Sequence, residues 1–174
     1  MAGESISVNR ASIGGADGPT GIAVSDNINT SLDLAVSEAI LAANEGRYIA
    51  GECRVEGHII VGDATDGREV TIYAVTSYGE YGFDSGRFVK TAGNSNVPAA
   101  ITLRLRDDGT YAVLDYREPE SGMNYSDSVR SFMPEESWDM IFTNAAVPAL
   151  TQLEERYAEA YLKRIGRENV QIGS

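Results

Sequence analysis

Cysteine and histidine are nearly absent from this chain of 174 residues, which has one of each, Cys53 and His58. A single cysteine excludes an internal disulfide bond and a cysteine-based zinc site, and a single histidine excludes a histidine-rich metal site. We therefore expect no metal and no other cofactor. A lone thiol is compatible with the cytosol and also with an exported protein that has no disulfides.

Long apolar runs are missing as well. No run approaches the roughly 20 residues that a membrane-spanning helix needs, and the first residues lack the basic and then apolar pattern of a signal peptide. We expect no membrane insertion by this sequence. The protein is then either cytosolic or exported by a segment outside the sequence.

Basic residues are few, with 14 Lys and Arg against 26 Asp and Glu, for a net charge of -12. Such a surface repels phosphate backbones and anionic lipids, so nucleic acid is not an expected partner. Cationic ligands and basic partners are favoured by the same charge.

Four segments in succession carry the β-branched and aromatic residues that favour strands. They are residues 52–61, 68–83, 97–106 and 110–118. Apolar and polar residues alternate along them, which is typical of an antiparallel sheet covered on one face. The longest irregular connection is expected over residues 79–96, and it could carry a short hairpin.

The segments before and after these strands carry apolar residues at helical spacing. This spacing predicts helices over residues 30–45, 135–147 and 149–165, with a short helical turn at 126–132. The predicted fold is α+β, an antiparallel sheet of about four strands with the N- and C-terminal helices packed on one face, cystatin-like in outline.

The domain organisation follows from the same patterns. Residues 1–30 form an extended N-terminal arm with a glycine-rich loop, residues 31–166 a single α+β domain, and residues 167–174 a loose tail. The loop motif consists of Gly14, Gly15, Asp17, Gly18, Pro19 and Thr20. It lacks the glycine spacing of a dinucleotide site and the lysine of a P-loop, so phosphate binding is not expected.

Two acidic pairs could hold a cation through their carboxylates, Asp17 with Asp26 and Asp63 with Asp66. Neither pair has the ligand number or spacing of a calcium loop. We therefore interpret these aspartates as turn-forming residues.

The polar side of the predicted sheet is the best candidate for binding. Arginine and tyrosine are enriched at binding hot spots, and this side gathers them in an otherwise acidic protein. The candidate ligand-binding residues are Arg54, His58, Tyr73, Arg104, Arg106, Tyr111 and Arg117. The alternative is a solvated face on which nearby carboxylates balance the cations.

His58 could act as a general acid or base. No motif ties a Ser or Cys to His58, and the strand pattern points the Cys53 thiol the other way. We therefore favour a surface histidine in a cross-strand charge pair and a small buried cysteine. No catalytic residue is assigned.

The segment GGADGPT, from Gly14 to Thr20, resembles a stretch of the β subunit of sodium-pumping decarboxylases. In that family the aspartate lies in the ion path. The apolar membrane spans of the family are missing here, so we interpret the resemblance as a shared loop and not a shared activity.

A broader resemblance extends from Ser12 to about Pro134. SIGGADGPTGIAV, AILAANEGRYIAGECRVEGHIIVG, YAVTSYGEYGF, PAAITL and YAVLDYREPESGMNYSDSVRSFMP resemble, in order and spacing, a domain of clostridial-type Gram-positive bacteria. That domain occurs as a secreted protein of unknown role or as the extracytoplasmic tail of BlaR/MecR-type antirepressor membrane peptidases. The resemblance implies a domain displayed outside the membrane.

The activities of those receptors are not implied. The sequence has no His-Glu-x-x-His zinc motif, and neither of its two lysines, Lys90 and Lys163, completes a Ser-x-x-Lys motif. We expect a non-catalytic extracytoplasmic binding or sensor module of a cell-surface protein, with an unknown ligand or a cell-surface protein as partner. The alternative is a small hydrolase or transferase with His58 as general base.

Overall fold

The computed structural model describes residues 11–12, 15–16 and 30–173. Its centre is an antiparallel meander of four long strands. They are β3 (Cys53–Asp66), β4 (Glu69–Asp84), β5 (Arg87–Leu105) and β6 (Tyr111–Arg117). Two short strands, β1 (Ala11–Ser12) and β2 (Gly15–Ala16), pair with the outer edge of β3, and β7 (Ile172–Gly173) pairs parallel to the start of β5.

Among the described residues, one α-helix precedes the meander and three follow it. They are α1 (Thr30–Asn44), α2 (Tyr125–Phe132), α3 (Trp138–Phe142) and α4 (Val147–Arg164). The α+β class and the antiparallel sheet with helices before and after it are confirmed. Pro148 stands in the first turn of α4, where its missing N–H costs no hydrogen bond.

The helices lie on both faces of the sheet, whereas the alternation predicted them on one face. α1 packs on one face through an apolar cluster that includes Val36, Ile40, Ile72 and Ile101. α4 packs on the other face, where Leu150 and Leu153 join a second cluster. The alternating pattern predicted a solvent-exposed face wrongly, because the polar positions of β3 and β4 under α1 are themselves buried.

The hairpin of β4 and β5 is longer than predicted. The irregular connection expected over residues 79–96 is strand except at a two-residue turn, where Ser85 and Gly86 both have positive φ (48° and 82°). Positive φ at both central residues matches the twist of a tight hairpin. The strands continue because Tyr81 and Phe88 are buried in the α4 core.

Both ends of the described chain join the sheet. Residues 167–174 were predicted to be a loose tail, but Ile172 and Gly173 pair with Phe88 and Val89. The tail attaches because Val170 and Ile172 pack against the α4 core. Of the predicted arm, residues 11–12 and 15–16 are described before α1, and they pair with β3; the rest of the arm lies outside the described residues.

Candidate functional site

The structure divides the seven predicted ligand-binding residues between the faces of the sheet. Arg54, His58 and Tyr111 belong to the face that α1 covers, and Tyr73, Arg104 and Arg117 belong to the opposite face. Arg106 lies beyond the end of β5 and is exposed, with its Nη1 3.5 Å from Thr110 Oγ1. A shift in register, such as the one between Thr102 and Leu103, moves the side chains that follow it to the opposite face of the sheet. Simple alternation along the sequence does not predict such a change.

Beyond the helices, one part of the sheet is open to solvent on the α4 side. Its side chains are Glu69, Thr71, Thr102, Arg104, Asp115 and Arg117, and we call this surface the open sheet face. The strand register brings them together, because Glu69 is opposite Arg104 and Thr102 lies between Thr71 and Asp115. Polar groups from three adjacent strands thus form one surface.

Most of these side chains already have a partner. Thr71 Oγ1 is 3.0 Å from Thr102 Oγ1, and Arg104 Nε donates to Glu69 Oε1 over 3.1 Å. Arg104 and Glu69 keep 57% and 42% of their side-chain surface exposed. An ion pair so open to water contributes at most about 1 kcal/mol, so a ligand can displace it at little cost.

Arg117 is held at the border of the open sheet face. Its Nη2 donates to Ser131 Oγ over 2.9 Å, and its guanidinium lies 4.5 Å from the centre of the Phe132 ring. The planar guanidinium is therefore oriented by α2, which preorganises it for a carboxylate or phosphate.

His58 is buried, which differs from the predicted surface position. Its imidazole has no exposed area because α1 covers this side of β3. Nδ1 is 3.0 Å from Glu56 Oε2, also fully buried, and Nε2 is 3.4 Å from Asp33 Oδ1 on α1. The histidine thus connects a helix to the sheet through two carboxylates.

The charge on this imidazole follows from its neighbours. Burial is the largest effect and lowers the pKa of His58, but Glu56 and Asp33 together overcome it and raise the pKa from 6.5 to about 9. The imidazole is therefore protonated at neutral pH. A protonated histidine has no lone pair to accept a proton, so this arrangement is unsuited to general-base catalysis.

Two further buried carboxylates were missed from the sequence. Glu154 on α4 accepts hydrogen bonds from Lys90 Nζ (2.9 Å) and from the Tyr81 hydroxyl (3.1 Å). Glu80 accepts from the Tyr78 hydroxyl and from the backbone N–H of Gly51. The sequence did contain a signal of burial. Glu80 stands between large residues of a strand, and Glu154 stands on the apolar stripe of α4.

These tyrosines donate to the carboxylates and are not activated as nucleophiles. Burial, followed by the charge of Glu154, raises the pKa of Tyr81, and burial followed by the hydrogen bond to Glu80 raises the pKa of Tyr78. Both hydroxyls therefore remain protonated. The two networks join strands and helices.

A groove of about 510 Å³ lies between α4 and the C-terminal segment. Its lining consists of Glu155, Glu159, Leu162, Lys163, Glu168, Val170, Gln171 and Ile172, and we call it the C-terminal groove. His58 is not among these residues. Nothing in the described part of the chain gives a substrate access to the imidazole.

The glycine-rich motif lies mostly outside the described residues. Gly15 is described and pairs with Val55, whereas Gly14, Asp17, Gly18, Pro19 and Thr20 are not described. Asp26 of the possible cation pair is not described either. Cys53 is buried at 6% exposure, as predicted.

Comparisons of this chain with protein-family models, with curated proteins and with solved structures find no match. Among the described residues, no helix is both long enough and apolar enough to cross a membrane. Within the same residues, no group of three or more His, Cys, Asp or Glu side chains could hold a metal ion.

Proposed function

We propose that this protein is a non-catalytic binding or sensor module that is displayed outside the membrane, with the open sheet face as its recognition surface. The observation that carries this proposal is the contrast between the polar groups buried under the helices and the polar groups of the open sheet face. The ionisable groups best placed for chemistry are engaged in buried pairs, whereas those of the open sheet face are exposed and weakly paired.

The chemistry of the open sheet face favours a ligand with both acceptors and donors. Arg104 and Arg117 offer planar guanidinium donors, and Thr71, Thr102 and Asp115 offer hydroxyl and carboxylate oxygens. Cell-wall fragments and extended peptides carry such groups. The extracytoplasmic location follows from the resemblance to Gram-positive surface domains.

A thermal-shift panel with sodium, calcium, β-lactams, cell-wall fragments and basic peptides tests whether the domain binds a ligand. A ligand that binds only the folded state stabilises it by about 2.7 kcal/mol at a hundred times its Kd, which raises the midpoint measurably. Failure of the entire panel would contradict sensing of these ligand classes. Pull-downs from cell-surface extracts would then test for a protein partner.

We expect the double substitution Arg104→Ala and Arg106→Ala to abolish the midpoint shift given by a ligand of the panel that carries acceptor groups, such as a cell-wall fragment. The variant should still fold, because the exposed pair of Arg104 contributes at most about 1 kcal/mol. Arg156→Ala with Arg164→Ala is the matched control, since it removes two exposed cations from α4 instead. An undiminished shift in the Arg104 and Arg106 variant would exclude this surface.

A further inference from the structure

The C-terminal groove combines an apolar floor with an acidic rim. Leu162 of α4 and Val170 and Ile172 of the C-terminal segment provide the aliphatic floor. Glu155 and Glu159 stand on the same side of α4 as Leu162, because residues four and seven positions apart share a helix face. Glu168 also lines the groove and belongs to the C-terminal segment that follows α4. The volume of about 510 Å³ is within the range of roughly 300–1,000 Å³ that is typical of ligand sites.

The carboxylates of this rim are available for an external cation. Within residues 30–173, the side chains of Glu155, Glu159 and Glu168 form no ion pair and no hydrogen bond. The buried or partly buried carboxylates described above, in contrast, all have partners; they are Asp33, Glu56, Glu80 and Glu154. Among the described residues, Lys163 is the only cation that lines the groove, so three carboxylates face one ammonium group.

We propose that the C-terminal groove is a docking site for a basic peptide segment in which aliphatic residues alternate with lysine or arginine. The long stems of lysine and arginine can lie on an apolar floor while their charged ends reach a carboxylate rim. The net charge of -12 attracts such a segment over a distance. This docking is independent of the open sheet face, because none of the residues that line the C-terminal groove belongs to that face.

The sheet explains why the ligand is an extended peptide. In the described part of the chain, β7 pairs with β5 and with no other strand, so the sheet has an open edge beside the groove. An open edge offers backbone N–H and C=O groups to an added strand. Backbone pairing would supply affinity and the rim would supply selectivity for basic side chains.

Calorimetric titration with synthetic hexapeptides, blocked at both ends, tests the proposal. The wild-type protein should bind the alternating lysine–leucine peptide more tightly than an alternating lysine–serine peptide of equal charge, and it should not bind a glutamate–leucine peptide. Replacing Glu155, Glu159 and Glu168 with Gln should weaken binding of the lysine–leucine peptide roughly tenfold. Val170→Thr should weaken it roughly three- to fourfold, since it removes one methyl group from the floor.

The matched control replaces Glu135 and Glu136 with Gln and Asp139 with Asn, which removes three exposed charges around α3. This variant should bind the lysine–leucine peptide as the wild type does. Thermal unfolding of each variant shows whether it is folded. Absent binding by the wild type, equal weakening in the control, or equal affinity for the lysine–serine peptide would each overturn the proposal.

Discussion

Replacing His58 with alanine should lower the free energy of unfolding by about 3 to 5 kcal/mol at neutral pH. The imidazole has no exposed area and is the cation between Glu56 and Asp33. Its removal leaves the fully buried carboxylate of Glu56 without that charge partner, in a medium where solvation is poor. Denaturant unfolding of the wild type and the variant measures the difference.

Two companion variants separate this cause from the loss of packing. The double variant Glu56→Gln, His58→Ala also removes the stranded charge, so it should be more stable than His58→Ala alone. Arg68→Ala breaks an exposed ion pair with Asp107 and should cost at most about 1 kcal/mol. A loss below about 1 kcal/mol in His58→Ala would show that the buried pair contributes little.

The same pair should make stability depend on pH with a definite sign. The pKa of His58 is about 9 in the folded state and close to 6.5 when unfolded, so the folded state binds the extra proton. Its contribution is therefore complete below about pH 6.5 and is lost as the pH rises through 9. Wild-type stability should fall over this interval, and the His58→Ala variant should not show that part of the decrease.

Replacing Leu153 with alanine should cost about 2 to 5 kcal/mol. Leu153 is 3% exposed, and the backbone of β3 approaches it so closely that a Cβ placed on Gly57 would lie 3.1 Å from the Leu153 Cβ. Glycine at that position is what lets α4 lie directly on the strand. A shortened side chain would leave a cavity that neither rigid element can fill.

Gln152→Ala is the control for this substitution, because Gln152 is exposed on the same helix and neighbours Leu153 in the chain. It should change the free energy of unfolding by less than about 0.5 kcal/mol. Equal denaturation midpoints for the two variants would mean that α4 does not support the core.

Most of the fold could be predicted from the sequence, because each element carries its own local pattern. β3 to β6 follow from runs of β-branched and aromatic residues, and α4 follows from apolar residues at helical spacing. The faces could not be predicted. A polar residue at every second position ordinarily marks solvent, but Glu56 and His58 neutralise each other under α1, and local patterns cannot reveal a partner as distant as Asp33.

The candidate surface was predictable in part. Tyr73, Arg104 and Arg117 do share a face, whereas Arg54 and His58 lie on the other side of the sheet. Which face a residue occupies depends on register shifts such as the one between Ile60 and Gly62. No repeating pattern in the sequence predicts these shifts. The C-terminal groove was missed because Ile172 joins the sheet only through a contact with the distant Phe88.

The position of β1 and β2 has a consequence for solubility. β1 and β2 both pair antiparallel with β3, with Ala11 opposite Ile59 and Ala16 opposite Arg54. Without them, this edge of β3 would expose unpaired backbone N–H and C=O groups. Such an edge can pair with the same edge of another molecule, which commonly starts aggregation. The described residues of this segment, with Gly15 of the glycine-rich motif among them, therefore also protect part of this edge from self-association.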